Sequence, residues 1–212
     1  MNKMNQQHTL LLTELRGAAE LKRVSGFTLL SLLVCGVLYT GLSTLSGSLL
    51  FPEQAKGSLI VHDGEVRGSV LIAQAFESER YVYGRPSAVD YDPTDTGGSN
   101  LAPSNPELRS LATGFSQRIQ QREQVTAQQI SVELISMSGS GLDPHISPGA
   151  ASMQAARVAA ARGVDESAIV AVINELSERP SFGIWGQARV NVLALNIALD
   201  DRFPVSLTQE TL

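Results

Sequence analysis

From Val24 to Pro52 the chain reads VSGFTLLSLLVCGVLYTGLSTLSGSLLFP, with no charged residue between Arg23 and Glu53. At a rise of ~1.5 Å per residue, ~20 such residues already cross a ~30 Å hydrocarbon core. A cleaved signal peptide has an apolar region of only ~7–15 residues and ends in an A-x-A-like site, which this run lacks. A retained transmembrane helix is therefore expected over 24–52. Beyond it the pattern breaks into shorter units. Apolar runs at 58–61 and 66–73 flank Asp63-Gly64, a dipeptide that tolerates the positive φ angles of a tight turn, so a β-hairpin is expected. Tyr81 and Tyr83 in RYVYGRPSA read as a short strand entering a turn. Asn105-Pro106 marks a cap and a first-turn proline, predicting a helix from Pro106 to about Glu123. Ser147-Pro148 opens a second, alanine-rich helix ended by Gly163. A third is predicted from an Asp165 cap to about Arg179, before Pro180. In VNVLALNIALD (190–200), Leu193, Leu195, Ile197 and Leu199 alternate with smaller residues, as in a half-buried strand. The expected class is α+β: one N-terminal transmembrane helix, then one compact α+β domain over 53–212.

Charge orients the span. Lys3, Arg16, Lys22 and Arg23 precede it against Glu14 and Glu20, whereas the flank after it is mixed. Lys and Arg mark the cytoplasmic side, so 1–23 is expected inside and 53–212 outside. Within 1–23, HTLLLTELRGAAELKR places Leu11, Leu15 and Ala18 at helical spacing, either along the inner membrane surface or as an extension of the span. The exported part carries 12 basic and 19 acidic side chains, net -7. That balance excludes the concentrated basic face of a nucleic-acid binder. A single cysteine, Cys35, excludes an intrachain disulfide and a Cys-rich zinc site.

Candidate chemistry is thin. Ser140 sits in Gly139-Ser140-Gly141, but a nucleophile elbow needs glycine where Ser138 and Leu142 stand. No phosphate-cradling loop of the Walker type occurs. His145 lies two residues from Asp143 and reads as a hydrogen-bonded turn histidine; a hydrolase built on Ser140 and His145 is the rival reading. Asp90, Asp92 and Asp95 lack the spacing of a calcium loop and read as a solvated acidic loop. Arg85 before Pro86 reads as a bridge between loops. The remaining signal is the density of Gly/Pro turns in GRPSA, GGSNLAPSNP and SGSGLDPHISP, which serve either tight internal packing or a preorganised surface for a partner. Asn100, Asn105, Ser138, Ser140, Asp143 and His145 are the docking candidates, with a helix-capping role as the alternative for Asn105. Gly36, Gly41 and Ser43 in the span permit close helix packing, or else simply face lipid.

At these loops the sequence closely resembles the C subunit of the bacterial potassium-transporting Kdp ATPase. The matching segments are FPEQAKGSLI (51–60), GSVLIAQAF (68–76), YGRPSAVDY (83–91), GGSNLAPSNPEL (97–108), SGSGLDPHISPGAASMQAARVAAARG (138–163) and VNVLALNIALD (190–200). With the span, they cover nearly the whole chain in family order. The resemblance implies a single-pass protein of the bacterial inner membrane with a periplasmic domain. It also implies an accessory subunit with no catalytic site of its own, in a complex using ATP and K⁺, with ATP binding as a family-implied property and no metal site assigned. Its implied partners are a channel-like A subunit, a P-type ATPase B subunit and a small F subunit, with membrane lipid around the span. The family C subunit is also described as a catalytic chaperone that raises the ATP affinity of B. A stand-alone anchored binding domain is the remaining alternative.

Overall fold

The computed structural model describes residues 20–204, which fall into two compact units divided between Lys56 and Gly57. The amphipathic pattern at Leu11, Leu15 and Ala18 lies outside the described residues.

In the first unit one long helix, α1, runs Glu20–Leu50, long and apolar enough to cross a membrane. Its centre, Leu32–Tyr39, winds as a π-helix. There the Thr40 hydroxyl donates to the Cys35 carbonyl at 2.9 Å. The helix stops two residues short of Pro52. Phe51 leaves the helical region (φ -137°, ψ 62°), as a residue before proline is pressed to do. A single turn, α2 (Pro52–Ala55), follows.

The second unit opens with the expected hairpin. Strands β1 (Leu59–His62) and β2 (Glu65–Ser69) pair antiparallel, with a register shift between Ile60 and Val61. Asp63 (φ 53°) and Gly64 (φ 78°) both take the left-handed conformation that matches a two-residue turn to strand twist. The second strand ends at Ser69 rather than at residue 73, and the Ala73 N–H bonds instead to the Leu142 carbonyl at 2.9 Å. The long polar stretch through 104 forms no regular element, and α3 then spans Pro106–Glu123. The alanine-rich helix is broken in two, α4 (Pro148–Ser152) and α5 (Ala155–Arg162). Between them Gln154 adopts φ -90°, ψ -6°, and Gly163 (φ 66°) closes α5. The third predicted helix, α6 (Glu166–Glu175), ends before Arg179, because Glu178 pairs its backbone with Arg189. Between α3 and α4 lies β3 (His145–Ile146), paired antiparallel with β4 (Val190–Asn191).

The alternating segment 190–200 is a correction. Only Val190 and Asn191 are extended, and α7 runs Val192–Arg202. The Asn191 side chain accepts from the Ala194 N–H and caps this helix. Val192, Leu195, Asn196 and Leu199 are buried, and their spacing is that of one helical face. Val192, Leu195 and Leu199 join Val158, Ile169, Val172 and Ile173 in one core.

Tyr81 and Tyr83 form no strand either. The extended segment between them is held by side chains. Asn196 accepts from the Val82 N–H at 2.8 Å and donates to its carbonyl at 2.9 Å. Gln154 does the same for Tyr83, at 2.9 and 3.0 Å. Two buried amides thus occupy the place of a neighbouring strand.

The hairpin is tied to α7 by His62, whose Nε2 lies 2.7 Å from an Asp201 carboxylate oxygen. That hydrogen bond is the main reason the His62 pKa lies above its ordinary value. A raised pKa contributes stability below the unfolded value near 6.5, which is lost as pH rises through the folded value. Raising the pH from about 6 to 8 therefore loosens the hairpin, seen as faster hydrogen exchange at Ile60 and Val61 after correction for intrinsic rates. His62→Gln removes this pH dependence.

Candidate functional site

The glycine-rich segments meet through their backbones. Ser138 N–H donates to the Pro86 carbonyl at 3.1 Å, and Gly97 N–H donates to the Ser140 carbonyl at 2.9 Å. The approach is so close that glycine is required at Gly141 (φ 74°), where an added Cβ would lie 2.5 Å from Val89 and 2.8 Å from the Gly97 carbonyl. Segment 84–98 and segment 137–142 therefore form one seam. The Ser87 hydroxyl tightens it by accepting from the N–H groups of Val89 and Tyr91.

An ion pair pins one end of this seam. Arg85 reaches Asp143 at 2.8 Å, bridging the two loops as its place before Pro86 suggested. The other Asp143 oxygen accepts from the His145 N–H at 3.1 Å. His145 is half-buried, and burial, aided by nearby Arg189, holds its imidazole below its ordinary pKa and thus neutral at pH 7. Ser147 caps α4 by accepting from the Ala150 N–H, while its own hydroxyl donates to Glu133 at 2.6 Å.

The candidates separate into two groups. Ser138, Ser140, Asp143 and His145 are gathered along the seam, and within them Ser138 is buried while Ser140 stands exposed. Asn100 is exposed, in the left-handed conformation at φ 51°. Asn105 caps α3, accepting from the Glu107 N–H at 2.9 Å. Of the acidic loop, Asp92 uses one oxygen to accept from both the N–H and the hydroxyl of Thr94. No group of three or more metal-ligating side chains is found among the described residues. The Ser140 hydroxyl accepts from the Leu142 N–H at 3.1 Å, a turn contact within its own loop.

In α1, an added Cβ at Gly36 or Gly41 meets nothing within 4 Å, and Ser43 is exposed. These positions are open to a neighbouring helix.

Sequence reasoning missed the supports behind the seam, Gln154 and Asn196. Their signal was present: each is an amide set among alanines or leucines on a face that is otherwise apolar. A buried amide in such a place needs partners, and segment 82–83 supplies them.

A family model described as "K+-transporting ATPase, c chain" matches residues 21–201. A protein of Shewanella putrefaciens named "Potassium-transporting ATPase KdpC subunit" is 58% identical over 169 residues, covering 80% of this chain and 85% of that one. A protein of the same name from Xanthomonas campestris pv. campestris is 46% identical over 186 residues, covering 88% and 89%. The counterpart in Caldanaerobacter subterraneus is 43% identical over 181 residues, covering 85% and 94%.

Proposed function

Since the chain belongs to the KdpC family, the c chain of the K⁺-transporting ATPase, and so has an accessory role in potassium uptake, we propose that its second unit is a docking domain of that complex. The observation that carries this reading is the seam between segments 84–98 and 137–142. A surface of short polar side chains is held in one shape by backbone bonds, glycines and the Arg85–Asp143 pair. Such a surface adds little apolar burial to its own domain, yet it presents preorganised donors and acceptors to another protein. Ser140 and Asn100 make the contacts, while Ser138, Asp143, His145 and Asn105 hold the loops that carry them. The partners are the channel-like A subunit and the P-type ATPase B subunit, with the small F subunit in the same assembly. The chain itself performs no catalysis.

The distribution of Lys and Arg supports a cytoplasmic N-terminus and a periplasmic second unit in the bacterial inner membrane. Gly36, Gly41 and Ser43 supply small side chains along α1 at which partner helices approach closely. On this topology any rise in the ATP affinity of the ATPase subunit is transmitted through the assembly, because the docking domain and the nucleotide lie on opposite sides of the membrane.

One experiment tests both side and docking. Cys35 is replaced by Ser and Ser140 by Cys, and spheroplasts are treated with a membrane-impermeant maleimide. The chain expressed alone is labelled without lysis, and co-expression of the other subunits slows labelling several-fold. Labelling only after lysis overturns the topology. Equal labelling with and without partners overturns the docking surface.

A further inference from the structure

Between Glu178 and Arg189 the chain forms a narrow hairpin. Glu178 and Arg189 exchange backbone hydrogen bonds at 2.8 and 3.0 Å, and their side chains pair at 2.8 Å. Ser181 and Trp185 exchange a second pair at 2.8 and 3.0 Å. At the tip stand three large apolar side chains: Phe182 is 90% exposed, Ile184 72% and Trp185 65%. The two rings meet edge to face, with centroids 5.8 Å apart. Gly183 (φ 76°) and Gly186 (φ 85°) allow so tight a turn.

We propose that this tip inserts into the interfacial region of the lipid bilayer that α1 spans, as a second, reversible membrane contact of the chain. The proposal rests on α1 being a membrane span. Three observations favour lipid over a protein partner. First, four of the five N–H groups from Ser181 to Trp185 already donate within the turn. A segment entering a low-dielectric layer needs its backbone groups satisfied from within. Second, Trp, Phe and Ile sit above a charged base formed by Glu178, Arg179 and Arg189. That is the order of apolar, aromatic and charged groups found at a membrane–water interface. Third, only six residues, 51 to 56, separate the end of α1 from the second unit. Even fully extended they reach at most ~20 Å, at ~3.3–3.6 Å per residue, a short tether to the membrane surface.

Trp185 is the single tryptophan of the chain, so its fluorescence reports this tip alone. The full chain is reconstituted into phosphatidylcholine vesicles, with or without bromine on the acyl chains. A ring seated ~5–10 Å into the headgroup and acyl boundary should lose about half its emission or more to the brominated lipid. Its emission should also shift to shorter wavelength, with aqueous iodide quenching it several-fold less than in the urea-unfolded chain. Replacing Phe182→Ser and Ile184→Ser together should abolish the bromolipid effect and restore iodide access. Circular dichroism checks the fold of this variant; if it is lost, Ile184→Ser alone provides the comparison. Emission indifferent to bromolipid but fully open to iodide overturns the proposal and leaves the tip to a protein partner. Emission that changes with the ratio of chain to lipid assigns the tip to a second copy and also overturns it. Bromolipid quenching that survives loss of Phe182 and Ile184 shows that these two side chains do not drive insertion, and overturns the apolar tip as the inserting element.

Discussion

Replacing Glu123 by Leu lowers the stability of the second unit by about 3–5 kcal/mol, the cost of leaving a buried charge without its partner. The Glu123 side chain is 1% exposed and faces two guanidinium groups. Arg157 donates to both its oxygens at 3.1 and 3.0 Å, and Arg122 donates to one at 2.6 Å. Arg157 is itself only 7% exposed and also holds the carbonyl of Tyr81 and the side-chain oxygen of Gln154. Both cations also lie over the Tyr83 ring, Arg122 at 4.1 Å and Arg157 at 4.5 Å from its centroid. Removing the carboxylate strands Arg157 beside the segment whose backbone it supports. For a domain of this size the loss corresponds to a fall of roughly 6–20 °C in melting temperature. Urea unfolding of the full chain in detergent, followed by circular dichroism, measures it. Adding Arg157→Met to Glu123→Leu should recover part of the loss, because the unpaired charge is then gone. A double variant as unstable as the sum of the two single ones would show that the charges act independently.

Asn196→Leu should cost about 2–6 kcal/mol, since it leaves the Val82 N–H and C=O buried without partners at ~1–3 kcal/mol each. The shape of the side chain is nearly kept, so little of this comes from a cavity. Val82 is fully buried and Asn196 is 1% exposed, so water cannot substitute for the lost amide. Gln154→Met should act on Tyr83 in the same way. Combining the two should fall short of additivity, because one extended segment is released either way. The consequence reaches the seam between segments 84–98 and 137–142. Segment 82–83 leads directly into Arg85 and Pro86, whose contacts to Asp143 and Ser138 hold the loops in register. Hydrogen exchange at Ser138 should therefore accelerate in Asn196→Leu, and recovery of the assembled complex should drop. Unchanged exchange at Ser138 would separate the amide clamp from the seam.

What the sequence by itself determined lies within a few residues along the chain. The apolar run of α1, the Asp63-Gly64 turn, the Asn105 and Ser147 caps and the Gly163 stop are each decided by neighbours in sequence, through hydrophobicity or backbone conformation. For the same reason the helix at Pro106–Glu123 was legible from end to end. The tertiary structure decided the rest, wherever a local pattern fitted two answers. In 190–200 the leucines alternate as in a strand, but Val192, Leu195, Asn196 and Leu199 also share a helical face, and burial against α6 selects the helix. The apolar character of Val82 suited a strand, yet its partner is an amide 114 residues away rather than another strand. Gln154 similarly breaks the alanine-rich helix where it reaches Tyr83, 71 residues distant. The seam follows the same rule. Its glycines and polar residues were visible as loops, but which loops touch is set by long-range packing, and no spacing along the chain encodes that.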